Sequence, residues 1–543
     1  MNPKKALKSF QQAVLLYKQG NFVEAEKSLA PACKALPNEE SVQFLMGALR
    51  FKLEKYVSAI DFLSKAKKIN PSNAETLNNL GMCFEKICEF DKAISNFKSA
   101  LAIKPDYTNA QLNLGNAYQN SGNFQQAEGY FNTILQQDPN NVMAINNIAL
   151  CQLNNGNYAL TQKTINHGLA LAPGNVSLLM THGVLLQYSK QYEQAIEHFQ
   201  SLNKELPNDI EILNNLALSY KLDEQYALSE KMFKTILSID PQHSQAHANL
   251  SQLALFQQNY SEGWDQYRFR SSARETGIRP EILPLELSNK HILLIKDQGL
   301  GDEIFFLRFT GELKSRGAEI TYIADPRLIP MLSNLDTIDH LVEKRNPKHR
   351  YDNTLLIADL PWALQTTSTP PPIRLTSDKT ADEKVVLALK NLPQERPTIG
   401  ITWRAGTRGH NRLGKEIDLQ KLCEYLTDTN ANYVSLQRNP EAGELEELER
   451  LLDQPVHDFS VHNQDLDFML ALLGKLDGHI CVSNTNLHLR ESLNKPTVAL
   501  IPYPADFRWP KSEHQSPWFP HCKVIRQNKQ GIWDIQPGFA DIP

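Results

Sequence analysis

Three short stretches carry the residue types that bind or move charge. The first is Gln298-Gly299-Leu300-Gly301-Asp302-Glu303, which follows the apolar run His291-Ile292-Leu293-Leu294-Ile295-Lys296 and leads into Ile304-Phe305-Phe306-Leu307-Arg308-Phe309. A β-branched run, a turn with two glycines and an amphipathic segment predict the opening of an α/β half-domain, whose ligand sits at the carboxyl end of the strand. Gly299 and Gly301 let a backbone approach a ligand closely. Asp302, at the helix start, can cap free amides or face a cleft as a general base. Position 304 is Ile, so the third glycine of a dinucleotide fingerprint is missing and hydride transfer is disfavoured.

The second stretch is Ser483-Asn484-Thr485-Asn486 with His488 one turn on, placed between a predicted strand and helix. Hydroxyls, amides and free helix N–H groups there suit a diphosphate, and His488 is placed to donate to the same anion; the plain alternative is an N-cap. The third is Thr402-Trp403-Arg404-Ala405-Gly406-Thr407-Arg408, followed by Arg412 and Lys415. Cations on a strand-end loop match a phosphate clamp, with Lys415 preferred and Arg404 assisting, against the alternative of solvated loop charge. Asp465-Leu466-Asp467 has the spacing of a metal-binding pair, but it stands before a helix without flanking strand residues, so it reads as an N-cap and no metal is expected.

These stretches need strands and helices to hold them, and the second half of the chain supplies two α/β units. The first, residues 290–375, has expected strands 291–296, 319–324 and 354–358 with helices 303–316 and 328–332. The second, residues 376–543, has expected strands 398–403, 433–437, 480–483 and 497–501, separated by helices 418–426, 444–452, 467–476 and 486–493. Strands alternating with helices imply parallel sheets, and the Thr/Pro-rich stretch Thr366 to Pro372 marks the boundary. Two such sheets leave a ligand cleft between their strand ends.

The first half, residues 1–272, is a repeat array. Prolines fall at Pro3, Pro37, Pro71, Pro105, Pro139, Pro173, Pro207 and Pro241, a step of 34 residues, the length of a tetratricopeptide helix pair. Ten residues after each proline stands a small residue (Ala13, Gly47, Gly81, Gly115, Ala149, Gly183, Ala217, Ser251), and nineteen after, an aromatic (Phe22, Tyr56, Phe90, Phe124, Tyr158, Tyr192, Tyr226, Tyr260). Small residues admit close helix approach, aromatics fill gaps between repeats and proline ends the second helix. These columns predict eight repeats stacked as an α-solenoid, with a groove lined by the first helices. Asn79, Asn113, Asn147, Asn215 and Asn249 recur eight residues after the prolines, with Gln11, Leu45 and Thr181 at the other three positions. Such a column can hold an extended peptide backbone, or simply solvate the groove. In the last repeat, Trp264 and Phe269 are expected to dock onto the α/β half, and residues 273–289, with Pro280 and Pro284, form an ordered linker.

The 543 residues are 41% hydrophobic and 22% charged with a formal net charge of -5, so several ordinary globular domains are expected and no basic footprint for nucleic acid stands out. The seven cysteines are odd in number and scattered, which favours buried thiols over disulfides or zinc. No apolar stretch approaches membrane-spanning length, and a cytoplasmic location is expected.

Taken as an ordered set, Gln298-Gly299-Leu300-Gly301-Asp302, Gly400-Ile401-Thr402-Trp403-Arg404-Ala405-Gly406, Ser435-Leu436-Gln437, Val482 to Leu489, Lys495-Pro496, Phe507-Arg508-Trp509 and Ser516 to Pro520 resemble a glycosyltransferase with two Rossmann-like domains of the GT-B type. The half is similar to the heptosyltransferases of lipopolysaccharide synthesis and to transferase domains that follow tetratricopeptide arrays in bacteria. In architecture and in its asparagine column the chain resembles O-linked N-acetylglucosamine transferase. The resemblance implies Asp302 as general base and Ser483 to His488 as contacts of the donor diphosphate. The usual Asp-Thr pair of that segment is Asn484-Thr485 here, and the first unit is short for an acceptor-side domain.

The expected activity is an inverting, metal-independent transfer of a sugar from a nucleotide diphosphate sugar to an acceptor hydroxyl, on a protein or peptide held in the repeat groove, without a cofactor. Asp302 and His488 would be catalytic, while Gly301, Arg404, Lys415, Ser483, Asn484, Thr485 and Asn486 would hold the donor. The alternative is a repeat scaffold carrying a degenerate nucleotide-binding module.

Overall fold

The computed structural model describes residues 3–405, 415–426, 430–511 and 515–535, and the chain divides between Gln191 and Tyr192 into two compact units. Paired helices run through the first, from Pro3–Lys18 and Phe22–Ala35 to Val176–Tyr188. They continue in the second from Tyr192–Glu205 to Ser244–Phe256 and Tyr260–Tyr267. The columns of the sequence explain them. Each aromatic of the nineteenth-residue column opens the second helix of a pair, and from Pro37 to Pro241 the prolines fall in the turns between pairs. A Cβ on Gly47 would lie 2.5 Å from the Leu63 side chain, and one on Gly81 or Gly115 would lie 2.4 Å from Phe97 or Phe131, so these positions stay small to let the two helices of a pair touch. Asn73, Asn141, Asn175 and Asp209 cap the helices that begin after them, a contribution of about 1 kcal/mol each.

The second unit also contains two parallel sheets. β1 (His291–Ile295), β2 (Glu319–Ile323), β3 (His340–Val342) and β4 (Asn353–Leu356) are ordered β3-β2-β1-β4. β5 (Thr398–Thr402), β6 (Asn432–Ser435), β7 (Val456–Asp458), β8 (Gly478–Val482), β9 (Thr497–Ile501) and β10 (Cys522–Arg526) are ordered β10-β9-β8-β5-β6-β7. Every strand expected from the sequence is present within two residues of its expected ends. β3, β7 and β10 are additional: the first two are three-residue edge strands, too short to show a period. The expected helix 303–316 is broken into Leu300–Phe306, a 3-10 turn at Leu307–Phe309 and Thr310–Ser315. A further helix, Lys379–Leu389, lies where the sequence pattern predicts no element and packs on Leu466–Lys475.

The last repeat joins the core of the first sheet. Trp264 is buried and meets Phe306, Phe309, Phe507 and Trp518 edge to face, with ring centroids 5.8–6.1 Å apart. Phe269 departs from the expectation: it stacks on His247 of the array at 4.0 Å, because the chain turns at Arg268. The linker is ordered by Leu283 and Leu287, both buried and hydrogen-bonded through their amides to the carbonyls of Ala363 and Arg316. Five cysteines are buried, Cys33 is half-buried and Cys88 is exposed.

Candidate functional site

Two helix N-termini face each other between the sheets. One is the Leu300–Phe306 helix after β1; the other is the Thr485–Ser492 helix after β8. Gly301 makes the approach possible: a Cβ there would lie 3.2 Å from His488 Cδ2 and 3.6 Å from Thr485 Cα. Asn484 is the N-cap of the second helix, its side chain accepting the Leu487 amide at 3.1 Å, which leaves the Thr485 and Asn486 N–H groups as those the helix cannot satisfy internally. Ser483 and Asn486 are buried beside it.

Charges alternate across this junction. Asp302 is ion-paired with Arg508, whose other nitrogen lies 3.6 Å from Asp506, and Asp506 accepts from Lys415 Nζ at 3.0 Å. Burial raises the Asp506 pKa, but Lys415 and Arg508 outweigh it and hold the carboxyl at about 2. Arg508 is buried with its guanidinium 4.6 Å over the Phe305 ring and 4.7 Å over Phe507. His488 lies edge-on to Phe519 and Phe305; burial, then Arg508 and Arg308, push its pKa well below that of an ordinary histidine. The ring is therefore neutral and offers one N–H and one lone pair, not a cation.

Of the residues expected from the sequence, Gly301, Asp302, Lys415, Thr485 and His488 come together at this junction. Arg404 does not. Its guanidinium pairs with Glu444 at 2.8 Å, and its backbone exchanges hydrogen bonds with the Gln437 side chain at 2.9 and 3.0 Å, so its charge is spent on fixing β5 to the segment after β6. Gly406, Thr407, Arg408 and Arg412 lie outside the described residues. Asp465 caps the Leu466–Lys475 helix through the Phe468 amide, in agreement with its reading as an N-cap.

Arg508, Asp506 and Tyr267 are functional candidates that sequence reasoning missed. The available signal was a charged pair inside the aromatic run Phe507-Arg508-Trp509, since an arginine buried among rings requires a carboxylate. Tyr267 comes from the last repeat and bonds Gln298, with 2.8 Å between Tyr267 Oη and Gln298 Nε2; burial, then Asp302, pushes its pKa up to about 12. Behind it Arg270 is held by Asp297 and Asp359, each at 2.5 Å, and burial raises both carboxyls. On the other side, Ala505 lines a cavity of about 440 Å³ whose walls carry the rings of Tyr226, Tyr503 and Trp533 and charges of both signs, Lys221 and Arg526 beside Glu224 and Asp534.

The asparagine column is engaged within the array. In the first unit the Asn113 amide donates to Asn78 at 2.9 Å and the Asn147 amide to Asn116 at 3.1 Å. In the second, Asn249 donates to Asn214 at 3.4 Å and Asn215 to the Glu211 carbonyl at 2.9 Å. Asn79 is half-buried. No helix among the described residues is long and apolar enough to cross a membrane.

Tetratricopeptide repeat families match residues 10–74, 89–145 and 210–243. No curated protein matches the chain. Among solved structures, a tetratricopeptide repeat protein from Parabacteroides merdae ATCC 43184 is 18% identical over 44% of this chain and 94% of its own, at a TM-score of 0.41. PilW, a type IV pilus biogenesis factor, is 21% identical over 39% of this chain and 98% of its own, at 0.35. MamA from Desulfovibrio magneticus RS-1 is 17% identical over 32% and 97%, at 0.30. The chain thus carries an N-terminal array of tetratricopeptide repeats, followed by a region of parallel sheets.

Proposed function

We propose that the chain is an inverting, metal-independent glycosyltransferase of the GT-B type, acting in the cytoplasm on an acceptor hydroxyl of a protein or peptide bound by the repeats. The observation that carries this reading is the alternating row Asp302, Arg508, Asp506 and Lys415 at two facing helix N-termini, each following a parallel strand. The donor diphosphate takes Arg508 and Lys415 as counter-ions, with the Thr485 and Asn486 amides, and releases Asp302 from Arg508. Asp302 then accepts the acceptor hydroxyl proton as that oxygen bonds to the anomeric carbon. The carbon–oxygen bond to the diphosphate breaks, its electron pair leaves with the nucleotide diphosphate, and the neutral His488 N–H donates to the departing oxygen.

The test is to incubate the chain with a panel of nucleotide diphosphate sugars and peptide acceptors and to measure free nucleotide. Release with one donor that is lost in Asp302→Asn supports the transferase. The repeat matches favour a second reading, a binding scaffold, because such arrays offer extended surfaces to protein partners. No release with any donor, joined to retained partner binding, would favour it.

A further inference from the structure

At the opposite end of the first sheet from the candidate site, three histidines and a glutamate converge. His291 opens β1, Glu319 opens β2 and His340 opens β3; these strands are neighbours and start at one edge, so the fold alone brings the three side chains together. One atom from each lies within 4.8 Å of the others, and among the described residues this is the one group of histidine, cysteine or carboxylate side chains so placed. His340 Nε2 is 2.8 Å from Glu319 Oε1, and the other carboxylate oxygen is 4.0 Å from His291 Nδ1. A third imidazole arrives from the segment between β3 and β4: His349 Nε2 lies 2.7 Å from His291 Nδ1.

We propose that His291, His340, His349 and Glu319 bind one borderline divalent cation, such as zinc. Two imidazole nitrogens 2.7 Å apart share a single proton between them, so a cation entering here displaces that proton and takes both lone pairs. Metal–nitrogen distances of about 2.0–2.1 Å place the donors of a tetrahedron roughly 3.3 Å apart, so Glu319 must close on His291, and His349, which touches His291 but is not one of the three residues whose atoms all lie within 4.8 Å of one another, must swing inward to complete the set. His340 and Glu319 are half exposed and can turn to do so, whereas His291 is nearly buried and fixed. The fixing group is Thr321, whose hydroxyl lies 2.7 Å from His291 Nε2; an outer partner on the far ring nitrogen is what sets the tautomer of a ligating histidine. Three nitrogens and one carboxylate suit zinc or nickel, and poorly suit magnesium or calcium, which want oxygen.

The ion would tie β3 and the segment carrying His349 to β1 and β2. A five-residue strand rises by about 3.3 Å per residue, so the ion would lie roughly 16 Å from the strand ends and is structural, not a participant in sugar transfer.

The test is zinc titration of the full, tag-free chain freed of metal by chelation, followed by calorimetry and by melting with and without zinc. One zinc per chain is expected, with a higher melting temperature in its presence. Thr321→Val should weaken binding 10- to 100-fold, the range for loss of an outer partner. The His340→Ala/His349→Ala double variant, altered at the rim of the sheet, should fold without zinc, lose at least 100-fold in affinity and show no zinc-dependent rise in melting temperature. Undiminished uptake in the double variant, or no stoichiometric uptake by the parent, overturns the proposal.

Discussion

At the scale of single residues, Asp302 and its neighbours set the chemistry. Asp302→Asn keeps the shape of the side chain and loses proton affinity, so turnover with the active donor should fall about 100-fold or more while nucleotide binding is nearly retained. Steady-state rates beside calorimetric nucleotide affinity separate the two effects. Lys415→Ala should instead weaken nucleotide diphosphate binding by about 1.5–3 kcal/mol, the value of a hydrogen bond to a charged group; unchanged affinity would remove Lys415 from the site. His479 governs a different property. It is buried on β8, neither ring nitrogen has a partner among the described residues, and burial, then Arg490, pushes its pKa down to about 3. Below about pH 6.5 the unfolded chain takes a proton that the folded chain refuses. Stability is therefore fully present above that pH and lost as pH falls toward 3, by about 1.4 kcal/mol per unit for this one group. His479→Leu should flatten the slope, and urea unfolding of both proteins at pH 7 and pH 5 would show it; equal slopes would acquit His479.

At the scale of elements, legibility depends on how local each cause is. The 34-residue columns record contacts between helices adjacent in sequence, and so Gly47, Gly81 and Gly115 mark the helix pairs by their spacing alone. Strand positions are readable because buried parallel strands are short apolar runs. Long-range pairing stays hidden. Nothing near Arg404 in sequence says that Glu444 will take its charge, and nothing near Asp302 says that Arg508 will arrive from 206 residues away. The asparagine column shows the same limit: its period is plain, yet Asn113, Asn147 and Asn249 each donate to another asparagine of the array. Asn249 Oδ1 already accepts from Gln245 Nε2 at 3.4 Å, and the second lone pair of each carboxamide oxygen is what can accept from an extended backbone. Replacing Asn113, Asn147, Asn215 and Asn249 together by Ala should raise the peptide acceptor's KM and leave the donor's KM unchanged. Because each hydrogen bond also contributes about 0.5–1.5 kcal/mol to the array, melting curves must accompany the kinetics. An unaltered KM in a folded quadruple variant would leave the column a purely internal stitch.

At the scale of the molecule, the end of the 34-residue columns suggests a cut between repeats and sheets near residue 272, whereas the compact units divide between Gln191 and Tyr192. The difference lies in what the last repeats give to the α/β core. Trp264 fills a space walled by Phe306, Phe309, Phe507 and Trp518. Arg270 neutralises the buried Asp297 and Asp359. The Asp223 and Glu224 turn holds Lys529 and Lys511, and Tyr503 donates to the Leu222 carbonyl. A fragment 273–543 would keep the hole and the two carboxylates without their partners. Losing a buried tryptophan costs about 3–5 kcal/mol, and stranding a buried charge about 3–5 kcal/mol more, against a domain stability of about 5–15 kcal/mol. Residues 192–543 should therefore express as a cooperatively melting, protease-resistant piece, and residues 273–543 should not. Trp264→Ala in the longer piece should lose about 3–5 kcal/mol in urea unfolding. If 273–543 instead melts cooperatively near the temperature of 192–543, the last two and a half repeats are an appended spacer, and Tyr267 and Arg270 have no part in holding the Asp302 turn.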